Sequence, residues 1–298
     1  MRGMRVRHRG LALVAVLWMI AALTLLVASL VAVSRAGTQS AQNHTAVVRA
    51  TAVGDAAIQL ALVEAQHQQR SGERRLVGEY VFDGARVQVE LLPASAYINL
   101  NRASPALLQA LLVVAGGLDA ASAEILAGRI VDWRDVDDAA FMPGGSELDP
   151  YLAGGLAVRP RNGAFLSNED LLQVAGIGLD LFARIEPLIT VWGGHSGVDP
   201  RFAPEGVLSV LVGGDPGRVA ALVGQRERDG ATFDTSALDP AYLGTGGSSV
   251  LHARATVRMP DGARLVRGRW LEIQARPEGT PWQSVATEPA RYLPALSH

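Results

Sequence analysis

Six carboxylates in one short stretch are the residues best suited to chemistry. Asp132, Asp135, Asp137 and Asp138 are followed by Glu147 and Asp149 across Pro143-Gly144-Gly145. Carboxylates are hard oxygen donors, and Ca²⁺ gathers about six to eight oxygens from side chains, backbone carbonyls and water. A Gly/Pro loop lets such groups converge. The spacing is not that of an EF-hand, which needs Gly at its sixth position. The same pattern also describes a helix end followed by a solvated acidic loop. The sequence leaves both readings open. If calcium binds, its role is structural.

Other chemistries find less support. The histidines, His8, His44, His67, His195, His252 and His298, are scattered, and no HExxH pair exists. The absence of cysteine removes disulfides, thiol nucleophiles and Cys-based zinc sites together. There is no GxSxG or Walker-type loop. Gly176-Ile177-Gly178 lacks the third glycine and preceding strand of a dinucleotide motif. The Gly-rich stretches 193–197 and 244–249 read as linkers, and Trp133 and Trp192 as core aromatics. The expectation is a protein that is not an enzyme.

Two segments have the form helix, Gly-rich turn, helix. Val114-Ala115-Gly116-Gly117-Leu118-Asp119 echoes Val174-Ala175-Gly176-Ile177-Gly178-Leu179-Asp180. Such hairpins elsewhere grip phosphates through the amides after the turn. Here Asp119 and Asp180 put acids where phosphates would sit, and the net charge is −2, so no broad basic field exists. Nucleic acid is not an expected partner. A membrane-anchored periplasmic DNA-uptake protein is the alternative.

These residues sit in a chain of 298, nearly half of it apolar at 49%, enough for a sizeable core. The middle is helical with short turns, and it repeats. Ile98-Asn99-Leu100-Asn101-Arg102-Ala103-Ser104-Pro105-Ala106-Leu107-Leu108 corresponds in pattern to Val198-Asp199-Pro200-Arg201-Phe202-Ala203-Pro204-Glu205-Gly206-Val207-Leu208, each with a polar cap and a Pro near the first turn of a helix. On either side lie strands. Asp83-Gly84 and Asp261-Gly262, each between alternating runs, predict hairpins, and a last strand is predicted over 282–286.

The N-terminus has the strongest pattern of all. Arg2, Arg5, Arg7 and Arg9 precede residues 11–34, which carry no charge. A helix of that length reaches about 36 Å, enough to cross a bilayer core. Basic flanks stay cytoplasmic, which puts everything after Arg35 on the far side. The run is too long for a cleaved signal peptide, although Ala32-Val33-Ser34 resembles a cleavage site. A plain anchor and a prepilin leader ending at Gly10-Leu11 both fit. Residues 35–69 contain no Pro and carry an apolar stripe at Ala46, Val47, Ala50, Val53, Ala57, Leu60 and Ala61, so the helix is predicted to continue beyond the membrane.

Taken together, Arg9-Gly10-Leu11-Ala12-Leu13 with Val16-Leu17-Trp18, Ile98-Asn99-Leu100-Asn101-Arg102-Ala103-Ser104, and Ile130-Val131-Asp132-Trp133-Arg134-Asp135-Val136-Asp137-Asp138 resemble the minor pseudopilin K of type II secretion systems. Asn168-Glu169-Asp170-Leu171-Leu172 and Gly197-Val198-Asp199-Pro200 agree in order along the chain. The resemblance implies an α+β pseudopilin fold: a long N-terminal transmembrane and amphipathic helix packed on an antiparallel sheet, with a large inserted helical domain. It implies prepilin leader 1–10, membrane helix 11–34, pseudopilin parts 35–95 and 241–298, and insertion 96–240. It implies cleavage after Gly10 by prepilin peptidase, methylation of Leu11, and inner-membrane anchorage by a single pass with the body in the periplasm. The implied partners are minor pseudopilins of the I and J types at the pseudopilus tip, where folded secreted proteins are moved across the outer membrane. Some members of that family bind calcium in the helical domain. Most pilin-like subunits carry Glu at the fifth residue after the cut, here Ala15. A tip subunit has no neighbour above it to pair such a buried carboxylate, which would be costly alone.

Overall fold

A computed structural model of the chain describes residues 9–68, 76–141, 147–155, 159–230, 234–244, 248–274 and 280–293. The chain divides into two units, residues 1–53 and 54–298. One helix, α1 (Arg9–Gln68), passes through the boundary between them.

In the first unit, Leu13–Val31 is strongly apolar, with mean hydropathy 2.6, and none of it is buried. Its polar side chains satisfy themselves within the helix. Thr24 Oγ1 donates to Ile20 O at 2.8 Å and Ser29 Oγ to Leu26 O at 2.8 Å. An apolar helix whose hydroxyls need no water suits a hydrocarbon surrounding.

The second unit begins with the end of α1. Ala57, Ile58, Ala61 and Leu62 are buried there, whereas Leu60 is exposed. The stripe expected through Leu60 is therefore turned by part of a turn. Ala and Leu surround this stretch on several sides, so their spacing alone does not fix which face turns inward.

Strands β1 (Leu76–Phe82) and β2 (Ala85–Pro93) form the first hairpin. Asp83 and Gly84 both have positive φ, 47° and 80°, the backbone that a two-residue hairpin turn demands. After Pro93 the chain leaves the sheet. It passes through β3 (Ile98–Asn99), α2 (Pro105–Val114), α3 (Ala120–Arg134), α4 (Asp149–Ala153), a 3-10 turn (Asn168–Gln173), α5 (Leu179–Ile185), β4 (Ile189–Thr190), α6 (Glu205–Leu211) and α7 (Pro216–Asp229). It re-enters the sheet as β5 (Val250–Arg258) and finishes with β6 (Arg264–Ile273), β7 (Trp282–Thr287) and β8 (Arg291–Leu293).

The sheet is antiparallel in the order β1-β2-β5-β6-β7, with β8 also on β6. β7 and β8 share one edge of β6. β2 alternates, burying Ala85, Val87, Val89 and Leu91 while Arg86 and Gln88 face solvent. The end of α1 is tied to the sheet by polar contacts as well as by burial. Arg267 and Arg269 reach Asp55 at 2.8 and 2.9 Å, and Trp282 Nε1 donates to Gln59 at 3.1 Å. Gly54 permits the approach, because a Cβ there would lie 3.2 Å from Val257 and Arg267.

The helical part has its own core. Leu107, Leu108, Leu111 and Leu112 of α2 pack with Ile130 and Trp133 of α3, with Leu181 and Ile185 of α5, and with Leu208 and Leu222 beyond. The internal repeat is real in geometry. Asn99 Oδ1 accepts from Asn101 N at 2.9 Å, and Asp199 Oδ1 accepts from Arg201 N at 3.2 Å. Ser104 then caps α2 through Leu107 N, whereas Pro204 in the second copy has no side chain to do so. The parallel β3–β4 pair and β8 are additions to what the sequence predicted.

Where the chain leaves the sheet, Tyr97 OH lies 2.8 Å from His252 Nδ1. The imidazole stacks on Trp270 with centroids 4.3 Å apart, and its Nε2 is 2.9 Å from Glu288 Oε1. Trp270 Nε1 donates to the same carboxylate at 3.0 Å. His252, Tyr97 and Trp270 are all buried.

Candidate functional site

The site is built on the end of α3. Asp119 starts this helix by accepting from Ser122 N. At the other end Arg134 donates to Leu100 O at 2.6 Å and Ala103 O at 2.7 Å, which fastens the last turn to the start of the repeat. Trp133 is buried and stacks on Phe165, centroids 5.9 Å apart. Asp132 and Asp135 therefore project from a fixed helix end. Asp132 Oδ1 accepts from Phe141 N at 2.6 Å, so the chain returns over the carboxylate it has just passed.

Glu147 enters from just before α4, whose Tyr151 is anchored in the core. One oxygen each from Asp132, Asp135 and Glu147 lie within 4.8 Å of one another. Asp132 and Glu147 are 7% and 4% exposed. Both Glu147 oxygens and Asp135 Oδ1 are buried without a hydrogen-bond partner. Three crowded carboxylates with idle oxygens are costly unless a proton or a cation joins them.

The electrostatics agree. Burial, then Asp135, Asp132, Asp137 and Asp138, push Glu147 up to about 7. Burial raises Asp132 against the opposing Phe141 N–H, and burial and then Asp137 raise Asp135. The donor set is all oxygen, which suits a hard cation such as Ca²⁺ and disfavours softer metals.

Of the six carboxylates expected to converge, three do. Asp137 Oδ1 accepts from Ala139 N, and Asp138 Oδ1 accepts from Asn162 Nδ2. Asp149 opens α4 in its first turn. None of these three belongs to the cluster found among the described residues. Pro143, Gly144 and Gly145 lie outside the described residues, as do Arg2, Arg5 and Arg7. Gly10 and Leu11 lie within α1, one and two residues after its start at Arg9. Asn162 was missed by sequence reasoning; the Asn162-Gly163 dipeptide, a common turn signal, marked it.

The two helix-turn-helix segments are braced against each other. Arg184 donates to Gly116 O at 2.9 Å, and Arg129 donates to Ala175 O at 2.8 Å, each cation serving the other segment's turn. Gly117 and Gly176 provide the positive φ these turns need, 68° and 97°. Asp119 occupies the first amides of α3. Both cations are spent on carbonyls, which leaves nothing here to support the DNA-binding alternative.

An exposed apolar N-terminal helix, an antiparallel sheet, and a helical insertion between two paired strands are the elements of a pseudopilin fold. Residues 87–194, about a third of the chain, match the family model of protein K of the type II secretion system. The matched stretch includes all three clustered carboxylates. A chain of the GspK-GspI-GspJ complex from the enterotoxigenic Escherichia coli type 2 secretion system shares the fold, with TM-score 0.56 and 16% identity over 86% of this chain and 99% of that one. No curated protein matches the chain. The family is a structural secretion component and not an enzyme family.

Proposed function

We propose that this protein is a tip subunit of the type II secretion pseudopilus that helps folded proteins cross the outer membrane. The carrying observation is the uncovered apolar stretch Leu13–Val31 at the start of an unbroken helix that runs on into the sheet. Residues 11–34 anchor it in the inner membrane, with the sheet and insertion on the periplasmic side. Prepilin peptidase cuts after Gly10, and the new amine of Leu11 is methylated. Ala15 favours the tip, since no subunit above demands a carboxylate there. The solved relative was determined in complex with GspI and GspJ, and this chain takes pseudopilins of those two types as partners.

Asp132, Asp135 and Glu147 hold a calcium ion that is structural. The ion neutralises three carboxylates and locks the end of α3 to the start of α4. The idle, buried oxygens of Glu147 support this reading. Mass spectrometry of protein made with and without prepilin peptidase tests the function: a methylated Leu11 start is expected only with the peptidase. An uncut N-terminus in both preparations refutes pseudopilin processing. Co-purification with the two small partners tests the assembly.

A further inference from the structure

The arm that carries Asp135 is gripped from outside by a residue that no carboxylate pattern marks. Asn162 Nδ2 donates to Asp137 O at 2.8 Å and to Asp138 Oδ1 at 2.9 Å. Among the described residues only Asp83 and Asn162 are non-glycine with positive φ. Asp83 lies in a hairpin turn that requires it. Asn162, at φ 50°, has no hairpin to serve, and a left-handed backbone persists only where the surroundings hold it.

Those surroundings are firm. Gly163 N donates to Trp133 O at 3.2 Å, and Phe165 stacks on the same indole. Phe165 N in turn donates to Asn101 Oδ1 at 2.7 Å, and Asn101 Nδ2 donates to Phe165 O at 3.0 Å. The segment is thus pinned to the core, and the Asn162 side-chain amide reaches back over the acidic arm. Val136, Asp137 and Asp138 are themselves exposed and have little packing to hold them.

We propose that Asn162 is a positioning residue for the calcium ion. It sets the arm so that Asp135 already faces Asp132 and Glu147 before the ion arrives. This rests on the calcium reading above. Asp137 and Asp138 are then the grip of the clamp rather than ligands. An arm ordered in advance costs less to order on binding, so affinity rises without a new ligand.

Asn162→Gly separates the clamp from the fold. Glycine keeps the positive φ without strain and loses only the amide. Calorimetry with calcium chloride on the full chain in detergent should show binding about tenfold weaker for Asn162→Gly. Melting in chelator should be unchanged. Asn162→Ala, which also strains the backbone, should lose both affinity and chelated melting temperature. Equal calcium affinity in wild type and Asn162→Gly overturns the clamp. So does a loss of affinity matched by an equal loss of chelated stability, the mark of a merely structural residue. If the wild type itself binds no calcium, the metal reading falls and the clamp with it.

Discussion

Glu147 makes the metal-free protein sensitive to pH in a direction that can be worked out. Its carboxyl is raised from 4.5 to about 7 in the fold, mainly by burial and by Asp135. A raised acid keeps its proton in the native state after the unfolded chain has lost it. Stability from this group is complete below pH 4.5 and declines as pH rises to about 7. A shift of this size corresponds to about 3 kcal/mol. The side chain is only 4% exposed but under a thin cover of atoms, so solvent screening reduces this to about 1–2 kcal/mol. For a body of this size that is roughly 3–6 °C in melting temperature. In chelator, wild type should therefore melt lower at pH 8 than at pH 5, and Glu147→Gln should remove most of the difference. Added calcium should raise the wild type at pH 8 and raise the variant less. Tryptophan fluorescence follows the transition, since Trp133 adjoins the site. A chelated wild type that melts equally at both pH values, or a variant no more stable at pH 8, refutes the reasoning.

Three further outcomes follow from single contacts. Arg134→Met leaves Leu100 O and Ala103 O without their donor and should cost about 1–3 kcal/mol in denaturant melts. Gly268→Ala places a methyl group against the Glu288 carboxylate, displacing it from Trp270 and His252, and should cost about 1–3 kcal/mol with a change in near-ultraviolet dichroism. The soluble body should give no shift of a duplex or single-stranded oligonucleotide at low salt, where a phosphate-binding surface would be strongest.

The sequence was most readable where chemistry is local. Asp83-Gly84 and Asp261-Gly262 announced their hairpins because few residues tolerate positive φ, and the turn sets the register. Ser104-Pro105 announced α2 for a similar reason. The strand over 282–286 is β7. Distant pairings were not readable. β3 and β4 are two residues each, joined across about ninety residues of chain, and nothing local marks them. β8 pairs with β6 beyond the end of β7, after a break that holds Glu288, whose carboxylate accepts from Trp270. Within the acidic stretch, residue types gave the chemistry but not the set. Which carboxylates meet depends on the helix end at Asp135 and the return of the chain at Phe141 and Glu147, a matter of three dimensions. Asn162 was hidden because its role lies in what it touches.

Pro93 and Leu251 face each other across the β2–β5 ladder. The chain's departure and its return are therefore neighbours on adjacent strands, about 5 Å apart. The head is grafted at a single rung, and the sheet below would close as an ordinary hairpin if the graft were cut away. Such a seam lets the insertion grow, shrink or change its surface over evolutionary time while the sheet keeps its register.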